Sequence, residues 1–251
     1  MDSPLAVVLA AGKGTRMKSD LPKVLCEACG RPLVQYVIDA LRDAGVGRII
    51  VVVGYQADKV RTALSHYPNL EFALQTEQLG TGHAVMMCKE QIASHDGPVV
   101  VVAGDSPLMQ SSSIQKLLEK FGSDRPACIL GTLIHDDPTG LGRILRDNLG
   151  NFIGIVEEKD ANAEQKKIDE VNMSTYVFDC SHLISSLGKL TDDNQQREYY
   201  ITDVPKLLLR DGLDIRALPV LQPIEALSVN TLDQLAEVES VMTSKSDCDA
   251  S

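Results

Sequence analysis

Tryptophan is absent from this chain of 251 residues, although that absence by itself excludes no class of protein. Basic residues are also in deficit, because 24 lysines and arginines stand against 35 aspartates and glutamates, for a net charge of −11. A protein without a general basic surface has little positive charge to neutralise phosphates, which argues against duplex nucleic acid and anionic membranes as partners. Any cluster of cations in the sequence is therefore interpreted as a local binding feature.

Long apolar runs are missing as well. No window approaches the roughly 18 uninterrupted apolar residues of a membrane span, and the N-terminus lacks a charged segment followed by a long apolar stretch. The six cysteines are scattered and not concentrated in a short disulfide-rich chain, which predicts reduced thiols: Cys26, Cys29, Cys88, Cys128, Cys180 and Cys248. We therefore expect a soluble, cytoplasmic protein without a secretory signal.

The spacing Cys26-x-x-Cys29 raises the alternative of a zinc or redox site. A tetrahedral zinc site needs a second pair of ligands, and the sequence offers none at a comparable spacing. We therefore favour the other interpretation, in which these residues are two incidental thiols in a loop.

A glycine-rich turn directly follows the first apolar run, Ala6–Leu9, which is predicted to be a buried strand. Gly12 and Gly14 lack the side chains that would keep a polyphosphate away from backbone N–H groups, and Arg16 and Lys23 supply positive charge. The Walker pattern needs four residues between its glycines, and the dinucleotide pattern needs a third glycine, so neither fits. The sequence predicts a phosphate-binding loop of another kind, with a purely structural turn as the alternative.

Strand and helix patterns alternate through the first half of the chain. The predicted strands are Ala6–Leu9, Arg48–Val53, Glu71–Gln75, Val99–Ala103 and Ala127–Leu133. The predicted helices are Pro32–Ala44, Gln56–His66, Thr81–Ile92 and Ser111–Phe121. This alternation predicts an α/β fold with a Rossmann-like, mostly parallel twisted sheet, helices on both faces, and a ligand crevice at the carboxyl ends of the strands.

The second half changes character to a β-rich insertion at about residues 136–180. Its predicted strands are Gly142–Arg146, Asn151–Glu158 and Val171–Asp179, and a polar loop spans Lys159–Ile168. A helix at Ile201–Arg210, a strand at Ile215–Val220 and a last helix after Asn230 follow, and residues 244–251 are predicted to be a flexible polar tail. We expect a single domain over residues 1–243.

Five further motifs stand in order along the chain. They are Gln75–His83, Gly104–Leu108, Asp137–Ile144, Gly154–Glu157 and Glu198–Asp203. From about Val7 to about Asn230, the chain resembles the sugar-phosphate nucleotidyltransferases, and most closely the uridyltransferase half of the bifunctional N-acetylglucosamine-1-phosphate uridyltransferase/glucosamine-1-phosphate acetyltransferases. The resemblance implies a nucleotide-diphospho-sugar transferase fold with a β-rich sugar-binding lobe.

The reaction that the resemblance implies is Mg²⁺-dependent transfer of a uridylyl group. UTP and N-acetylglucosamine 1-phosphate would give pyrophosphate and UDP-N-acetylglucosamine, a cell wall precursor. Because the attacking phosphate is already ionised near neutral pH, the reaction needs no general base, and the lack of a Ser-His-Asp or Cys-His set is consistent with it. The enzyme must instead align two polyanions and stabilise the charge on the leaving pyrophosphate.

The resemblance assigns Asp105 and Asn230 as the ligands of Mg²⁺. A carboxylate at the carboxyl end of a strand can reach a metal that bridges phosphates. The alternatives are a turn at Asp105, which precedes Ser-Pro, and an N-cap of the last helix at Asn230. Arg16 is assigned as a catalytic group at the β- and γ-phosphates and Lys23 as one near the attacking phosphate, with Lys13 as a further candidate.

Two sets of binding positions carry over from the same resemblance. The nucleotide-binding positions are Leu9, Ala10, Ala11, Gly12, Lys23, Gln75, Gly80, Thr81, Ala103, Gly104 and Asp105. Within this set the Gln75 amide can donate to and accept from the edge of uracil, and His83 is interpreted as a helix residue and not as a catalyst. The sugar-binding positions are Gly142, Glu157, Asn172 and Asn230.

Two departures from the family pattern border the sugar positions. The usual Asn-Thr-Gly becomes Asn172-Met173-Ser174, and Leu227 replaces a glutamate. Alternatives therefore remain for the substrates: glucose or galactosamine 1-phosphate as the sugar, or dTTP as the nucleotide. A non-catalytic sugar-nucleotide-binding regulator is an alternative of a different class, although such a relative tends to lose the metal carboxylate or the loop cations, which are all present here.

The hexapeptide repeats of the family's acetyltransferase half have no counterpart in this sequence, so we expect no acetyltransferase domain in it. The chain is either a monofunctional uridyltransferase or a fragment of a longer protein. The sequence does not indicate an oligomeric state.

Overall fold

The computed structural model describes residues 3–17 and 19–249, with side chains described as far as residue 244. The strands are β1 Leu5–Ala10, β2 Glu27–Ala28, β3 Arg31–Pro32, β4 Arg48–Val53, β5 Leu70–Leu74, β6 Pro98–Ala103, β7 Cys128–Ile134, β8 Gly142–Arg146, β9 Phe152–Val156, β10 Glu170–Asp179 and β11 Ile215–Leu218. The helices are α1 Leu33–Asp43, α2 Ala57–Ala63, α3 Thr81–Met86, α4 Lys89–Ala93, α5 Ser111–Asp124, α6 Cys180–Leu187, α7 Val204–Arg210 and α8 Leu232–Asp249.

One mixed sheet organises the described chain, with its strands in the order β11-β7-β10-β6-β1-β4-β5. Neighbouring strands are parallel except where β10 pairs antiparallel with β6 and β7. The β-rich insertion joins the same sheet, because β8 pairs with β10 and β9 pairs with β8. The predicted α/β class with a mostly parallel sheet is therefore confirmed.

Helices cover both faces of the sheet, as the alternating burial of the central strands requires. In β1, Leu5 and Val7 face a core formed with α3, α4, α6 and α7, whereas Ala6 and Val8 face a core formed with α1, α2 and α5. Side chains of a strand alternate between faces, so a strand covered on both sides is apolar at every position. Because β1, β4, β5 and β6 are parallel, the loops that follow them emerge at one edge of the sheet.

Several predicted boundaries change in the structure. The helix predicted over Thr81–Ile92 is divided into α3 and α4, because hydrogen bonds tighten to a three-residue spacing at Met87 and Cys88. In the segment predicted to be a flexible polar tail from residue 244, α8 continues as far as Asp249, without an interrupting glycine or proline. Residues 250 and 251 lie outside the described residues. Across the described chain, no helix is both long and apolar enough to cross a membrane.

Candidate active site

A cavity of about 280 Å³ opens at the carboxyl ends of β1 and β6. Nine of the predicted nucleotide-binding positions line it: Leu9, Ala11, Gly12, Lys23, Gln75, Gly80, Thr81, Ala103 and Asp105. Two do not, because the Ala10 side chain is buried in the core against α1 and Gly104 contributes backbone that donates from its N–H to the Leu9 carbonyl at 2.9 Å. The structure thus brings residues 9–12, 75–81 and 103–105 around one space.

The glycine loop places Lys23 beside this cavity. Gly14 has a φ of +67°, and a Cβ at this position would overlap the Lys23 side chain. Glycine adopts this left-handed conformation without the steric cost that other residues carry. Gly14 therefore serves two purposes, since it turns the chain and leaves room for the lysine to lie along the loop.

The Lys23 ammonium contacts side-chain oxygens from two distant parts of the chain. Its Nζ pairs with the Asp105 carboxylate and donates to Asn230 Oδ1 at 2.9 Å. The Arg16 guanidinium donates to the same Asn230 oxygen at 2.9 Å. The four residues predicted to hold metal and stabilise phosphates are therefore linked in one chain of contacts, from Arg16 through Asn230 and Lys23 to Asp105.

Backbone contacts keep Asn230 next to Asp105. The Val229 N–H donates to the Asp105 carbonyl at 3.1 Å. Thr231 accepts from the Gln234 N–H at 3.2 Å, so Thr231 and not Asn230 supplies the side-chain cap at the start of α8. The side-chain oxygen Oδ1 of Asn230 is consequently available to cations.

Glu225 also fixes this segment, and it was not anticipated from the sequence. It is 5% exposed, accepts from the Gln110 N–H at 3.0 Å and accepts from the Ser113 hydroxyl at 2.6 Å. It thereby anchors the segment before Asn230 to the start of α5, which follows the Asp105 loop. The signal in the sequence was the Gln222-x-x-Glu225 spacing of a capping box.

The side-chain oxygens that contact Lys23 fit the requirements of a magnesium ion that would also be bound by substrate phosphates. Magnesium is typically held by one or two protein oxygens, with phosphates and water completing its shell. Asp105 supplies a carboxylate oxygen and Asn230 a carbonyl oxygen, and both contact the same positive charge. Within the described residues, no group of three or more His, Cys, Asp and Glu side chains is arranged to hold a metal by itself.

Gln75 is buried, with 3% of its surface exposed, and its side-chain NH₂ group already has partners within the protein. Its Nε2 donates to the Gly80 carbonyl at 3.1 Å and lies 3.0 Å from His83 Nδ1. His83 lies in α3 as predicted, and it also holds this amide, a function that the sequence did not suggest. Gln75 therefore presents its oxygen, an acceptor, and not both halves of the amide.

The motif Glu198–Asp203 packs against the loop that contains Gly80. The Gly82 N–H donates to the Tyr199 carbonyl at 2.7 Å, and the Ile201 N–H donates to the Thr81 hydroxyl at 3.0 Å. Glu198 itself lines the cavity, as do Gln78 and Ser174, none of which was among the predicted site residues. The two motifs thus form one wall of the site.

The predicted sugar-binding residues form a second group on β8, β9 and β10. Asn172 is opposite Gly142 in the pairing of β10 with β8. A Cβ added to Gly142 would lie 3.5 Å from the Asn172 Cβ and 3.6 Å from Glu157 Oε2, so the missing side chain leaves space between these two residues. Asn230, the fourth predicted sugar residue, lies instead with Lys23 and Arg16.

Glu157 is largely enclosed, and burial raises the pKa of its carboxyl group. The Thr202 hydroxyl, which donates to Glu157 Oε1 at 2.9 Å, opposes this rise, and the nearby Asp160 reinforces it. The carboxylate retains Oε2 on the side that faces Gly142. It can therefore accept hydrogen bonds from hydroxyl groups of a ligand.

The two cysteines of the Cys-x-x-Cys motif occupy different environments. Cys26 is buried, which raises its pKa, whereas Cys29 is exposed. The Cys29 N–H donates to Glu239 Oε1 at 2.9 Å. Both are free thiols in the structure.

Comparisons with known proteins agree with this architecture. The sequence profile of the MobA-like NTP transferase domain matches residues 6–171. The bifunctional protein GlmU of Pelotomaculum thermopropionicum is 42% identical over 237 residues, which cover 94% of this chain and 51% of that protein. The bifunctional protein GlmU of Exiguobacterium sibiricum is 45% identical over 237 residues, with 94% and 52% covered. The chain thus spans about half the length of the curated relatives it matches.

A solved structure has the same fold. The crystal structure of UDP-glucose pyrophosphorylase complexed with UDP-glucose superposes with a TM-score of 0.77 over 97% of this chain and 99% of that chain, at 17% identity. Transferases of the matched family generally use a divalent metal. The match over two thirds of the sequence, together with the shared fold, shows that the chain belongs to the MobA-like NTP transferase domain family.

Proposed function

We propose that this chain transfers a uridylyl group from UTP to N-acetylglucosamine 1-phosphate, with Mg²⁺ as its cofactor, and releases pyrophosphate. The observation that carries the proposal is the contact of Lys23 with both Asp105 and Asn230, beside a cavity lined by the glycine loop. Similarity to GlmU over 94% of the chain supports the same reaction. The nucleotidyltransferase unit is proposed to comprise residues 1–243.

The uracil base is proposed to lie between the glycine loop and Gln75. Because the Gln75 NH₂ group is engaged by Gly80 and His83, the remaining Oε1 accepts from a ligand N–H. Uracil carries such an N–H at N3, whereas cytosine has an acceptor there. Backbone groups of residues 9–12, with Gly80 and Thr81, complete the recognition of the nucleoside, and this arrangement favours UTP over CTP.

The triphosphate is proposed to run from the base toward Lys23 and Arg16. Asp105 and Asn230 are the residues that would hold Mg²⁺, which supplies positive charge next to the phosphates when it is bound. Arg16 contacts Asn230 from the exposed side of the loop, where it can neutralise the departing pyrophosphate. Lys23 is more enclosed, at 17% side-chain exposure, and is proposed to act on the attacking phosphate and the α-phosphate.

The chemical step is an in-line displacement at the α-phosphorus of UTP. A phosphate oxygen of the sugar 1-phosphate forms the new bond to phosphorus, and the bond to the oxygen that bridges the α- and β-phosphates breaks. That oxygen leaves with pyrophosphate, and no proton has to be removed from the nucleophile. The chain contributes alignment of the two polyanions and fixed positive charge, which is how phosphoryl transfer is generally accelerated.

The sugar is proposed to lie beside Gly142, between Glu157 and Asn172. Glu157 accepts from sugar hydroxyls and Asn172 contacts the acetamido group, while Gly142 leaves the space that the ring needs. The sugar ring therefore meets β8, β9 and β10, and its phosphate extends toward Lys23.

A screen of pyrophosphate release tests this function. Purified chain is incubated with Mg²⁺, each of UTP, dTTP, CTP and ATP, and N-acetylglucosamine, glucose or galactosamine 1-phosphate, and the nucleotide sugar is identified by mass spectrometry. We expect UDP-N-acetylglucosamine as the main product. A main product with another base or sugar would correct the substrate, and release of no pyrophosphate from any pair would refute the enzymatic proposal.

A further inference from the structure

Residues 172–176 of β10 form an irregular stretch between the sugar positions and the cavity. The pairing of β10 with β7 shifts register between Asn172 and Thr175, and Ser174 has a φ of 51° within this bulge. Serine adopts this left-handed conformation less readily than glycine does. The Ser174 side chain lines the cavity, so the strained position is part of the site.

Tyr176 connects this bulge to Asn172. Its side chain is completely buried, stacks on Phe178 with ring centroids 5.6 Å apart, and donates from its hydroxyl to Asn172 Oδ1 at 3.0 Å.

This arrangement determines which half of the Asn172 amide is free. Oδ1 is engaged by Tyr176, and among the described residues none accepts a hydrogen bond from Nδ2. The space left by Gly142 adjoins Asn172 and Glu157, with Ile155 as its apolar neighbour. A ligand in that space therefore meets a donor from Asn172 and an acceptor from Glu157.

We infer that Tyr176 is a positioning residue that turns the NH₂ group of Asn172 toward the substrate and so selects an N-acetylated sugar phosphate. The inference rests on the proposed function and deepens it. An acetamido group places its carbonyl oxygen three bonds from the ring, whereas a hydroxyl oxygen is one bond away. A fixed Asn172 NH₂ group at the longer distance pairs with the acetamido oxygen, but it stays unpaired when the sugar carries a hydroxyl instead. An unpaired polar group is the basis of strong discrimination between substrates.

Tyr176→Phe removes the hydroxyl and keeps the buried ring. The Asn172 amide can then turn over, so we expect the ratio of kcat/KM for N-acetylglucosamine 1-phosphate to that for glucose 1-phosphate to fall by about tenfold. The change should lie in the KM for the sugar phosphate, with the KM for UTP unchanged. Because both sugars are measured on one preparation, any loss of folded protein cancels. Tyr67→Phe removes a phenol hydroxyl that accepts from Arg31 and donates to the Gln35 carbonyl of α1, and it is the matched control, with an unchanged ratio.

Two substitutions at Ser174 separate the hydroxyl from the backbone strain. Ser174→Ala and Ser174→Gly both remove the hydroxyl, but only glycine accepts a φ of 51° without strain. Thermal stability should rise only in Ser174→Gly.

Asn172→Asp tests the donor directly. The aspartate keeps an oxygen that accepts from Tyr176 and replaces the NH₂ group by a second acceptor, so the preference for the N-acetylated sugar should disappear. A ratio that stays at its original value in Tyr176→Phe or Asn172→Asp overturns the inference.

Two results with the unaltered chain distinguish the inference from the function beneath it. Equal use of both sugar phosphates overturns the inference and leaves uridylyl transfer standing. Failure to form any nucleotide sugar overturns the proposed function, and the inference with it.

Discussion

The Lys23 ammonium donates to the carbonyl oxygen of Asn230 at 2.9 Å although the two residues are 207 positions apart in the chain. It pairs with the Asp105 carboxylate at the same time, and the Lys23 and Asp105 side chains are only 17% and 16% exposed. Enclosure reduces solvent screening, so the contact is stronger than that of an ordinary surface pair. A cation therefore occupies the point at which two candidate metal-binding oxygens converge.

Asp105→Asn should preserve the fold and lower kcat by on the order of a hundredfold or more, because the amide contributes no negative charge to the metal. Steady-state kinetics over a range of Mg²⁺ concentrations measures the effect. Asp39→Asn is the matched control and should retain normal kcat, because Asp39 lies on α1 and pairs with Arg31. Near-normal turnover of Asp105→Asn would contradict the assignment of this carboxylate.

Lys23→Ala should change metal binding and catalysis in opposite directions. Loss of the ammonium leaves Asp105 without its cation and Asn230 with Arg16 alone, so Mn²⁺ should bind the free protein more tightly, as electron paramagnetic resonance can measure. The same change should lower kcat/KM by roughly two to three orders of magnitude, because a fixed charge at the reacting phosphates is lost.

Lys13→Ala is the control for Lys23→Ala, since Lys13 belongs to the same glycine loop. Its ammonium lies over the Tyr55 ring, 5.3 Å from the ring centre. It should leave Mn²⁺ affinity unchanged and reduce kcat/KM much less. Weaker binding of Mn²⁺ by Lys23→Ala, or unfolding of that variant, would show that Lys23 is structural.

His83→Leu should weaken the recognition of uracil. Without His83 Nδ1, the Gln75 amide loses one of its two internal partners and is free to turn its NH₂ group toward the base. We expect the KM for UTP to rise by about tenfold and the discrimination against CTP to fall, with kcat little changed. An unchanged ratio of kcat/KM for UTP and CTP would show that His83 does not position Gln75.

Glu157→Gln should trade function for stability in a manner that depends on pH. Burial raises the pKa of Glu157, so ionisation of this group lowers the free energy of unfolding as the pH rises from the unfolded-chain pKa to the higher folded-state pKa, and the full cost is present above the latter. Below the pKa of the unfolded chain the group is protonated in both states, and no cost exists. The Tm advantage of the glutamine variant should therefore be absent near about pH 4 and grow toward about pH 7.

The kinetics of the same variant provide the second half of this test. Activity with the sugar phosphate should fall in Glu157→Gln, because the acceptor for sugar hydroxyls is weakened. A Tm difference that is constant across this range, or that shrinks as the pH rises, would contradict the assigned burial of the charge.

Local pattern was sufficient to predict the strands and the glycine turns that end them. The strand Arg48–Val53 follows from its apolar run, whereas the site positions Leu9, Gly12 and Asp105, which stand at the ends of predicted strands or just after them, were assigned by the family resemblance. The parts that escaped prediction depend on partners distant in sequence. Tyr176 is an ordinary buried aromatic until its hydroxyl meets Asn172, and Glu225 is an ordinary acidic residue until it reaches the start of α5.

The sequence by itself determined the α/β fold, the glycine-rich loop and the oxygen and cation side chains available for chemistry, because strand periodicity, glycine and charge act over a few residues. The tertiary structure decided which of their atoms are free. Thr231 caps α8 and releases Asn230, whereas His83 engages the Gln75 NH₂ group and leaves an acceptor. Hydrogen-bonding groups satisfy one another across the whole chain, and only the folded arrangement settles which remain for a ligand.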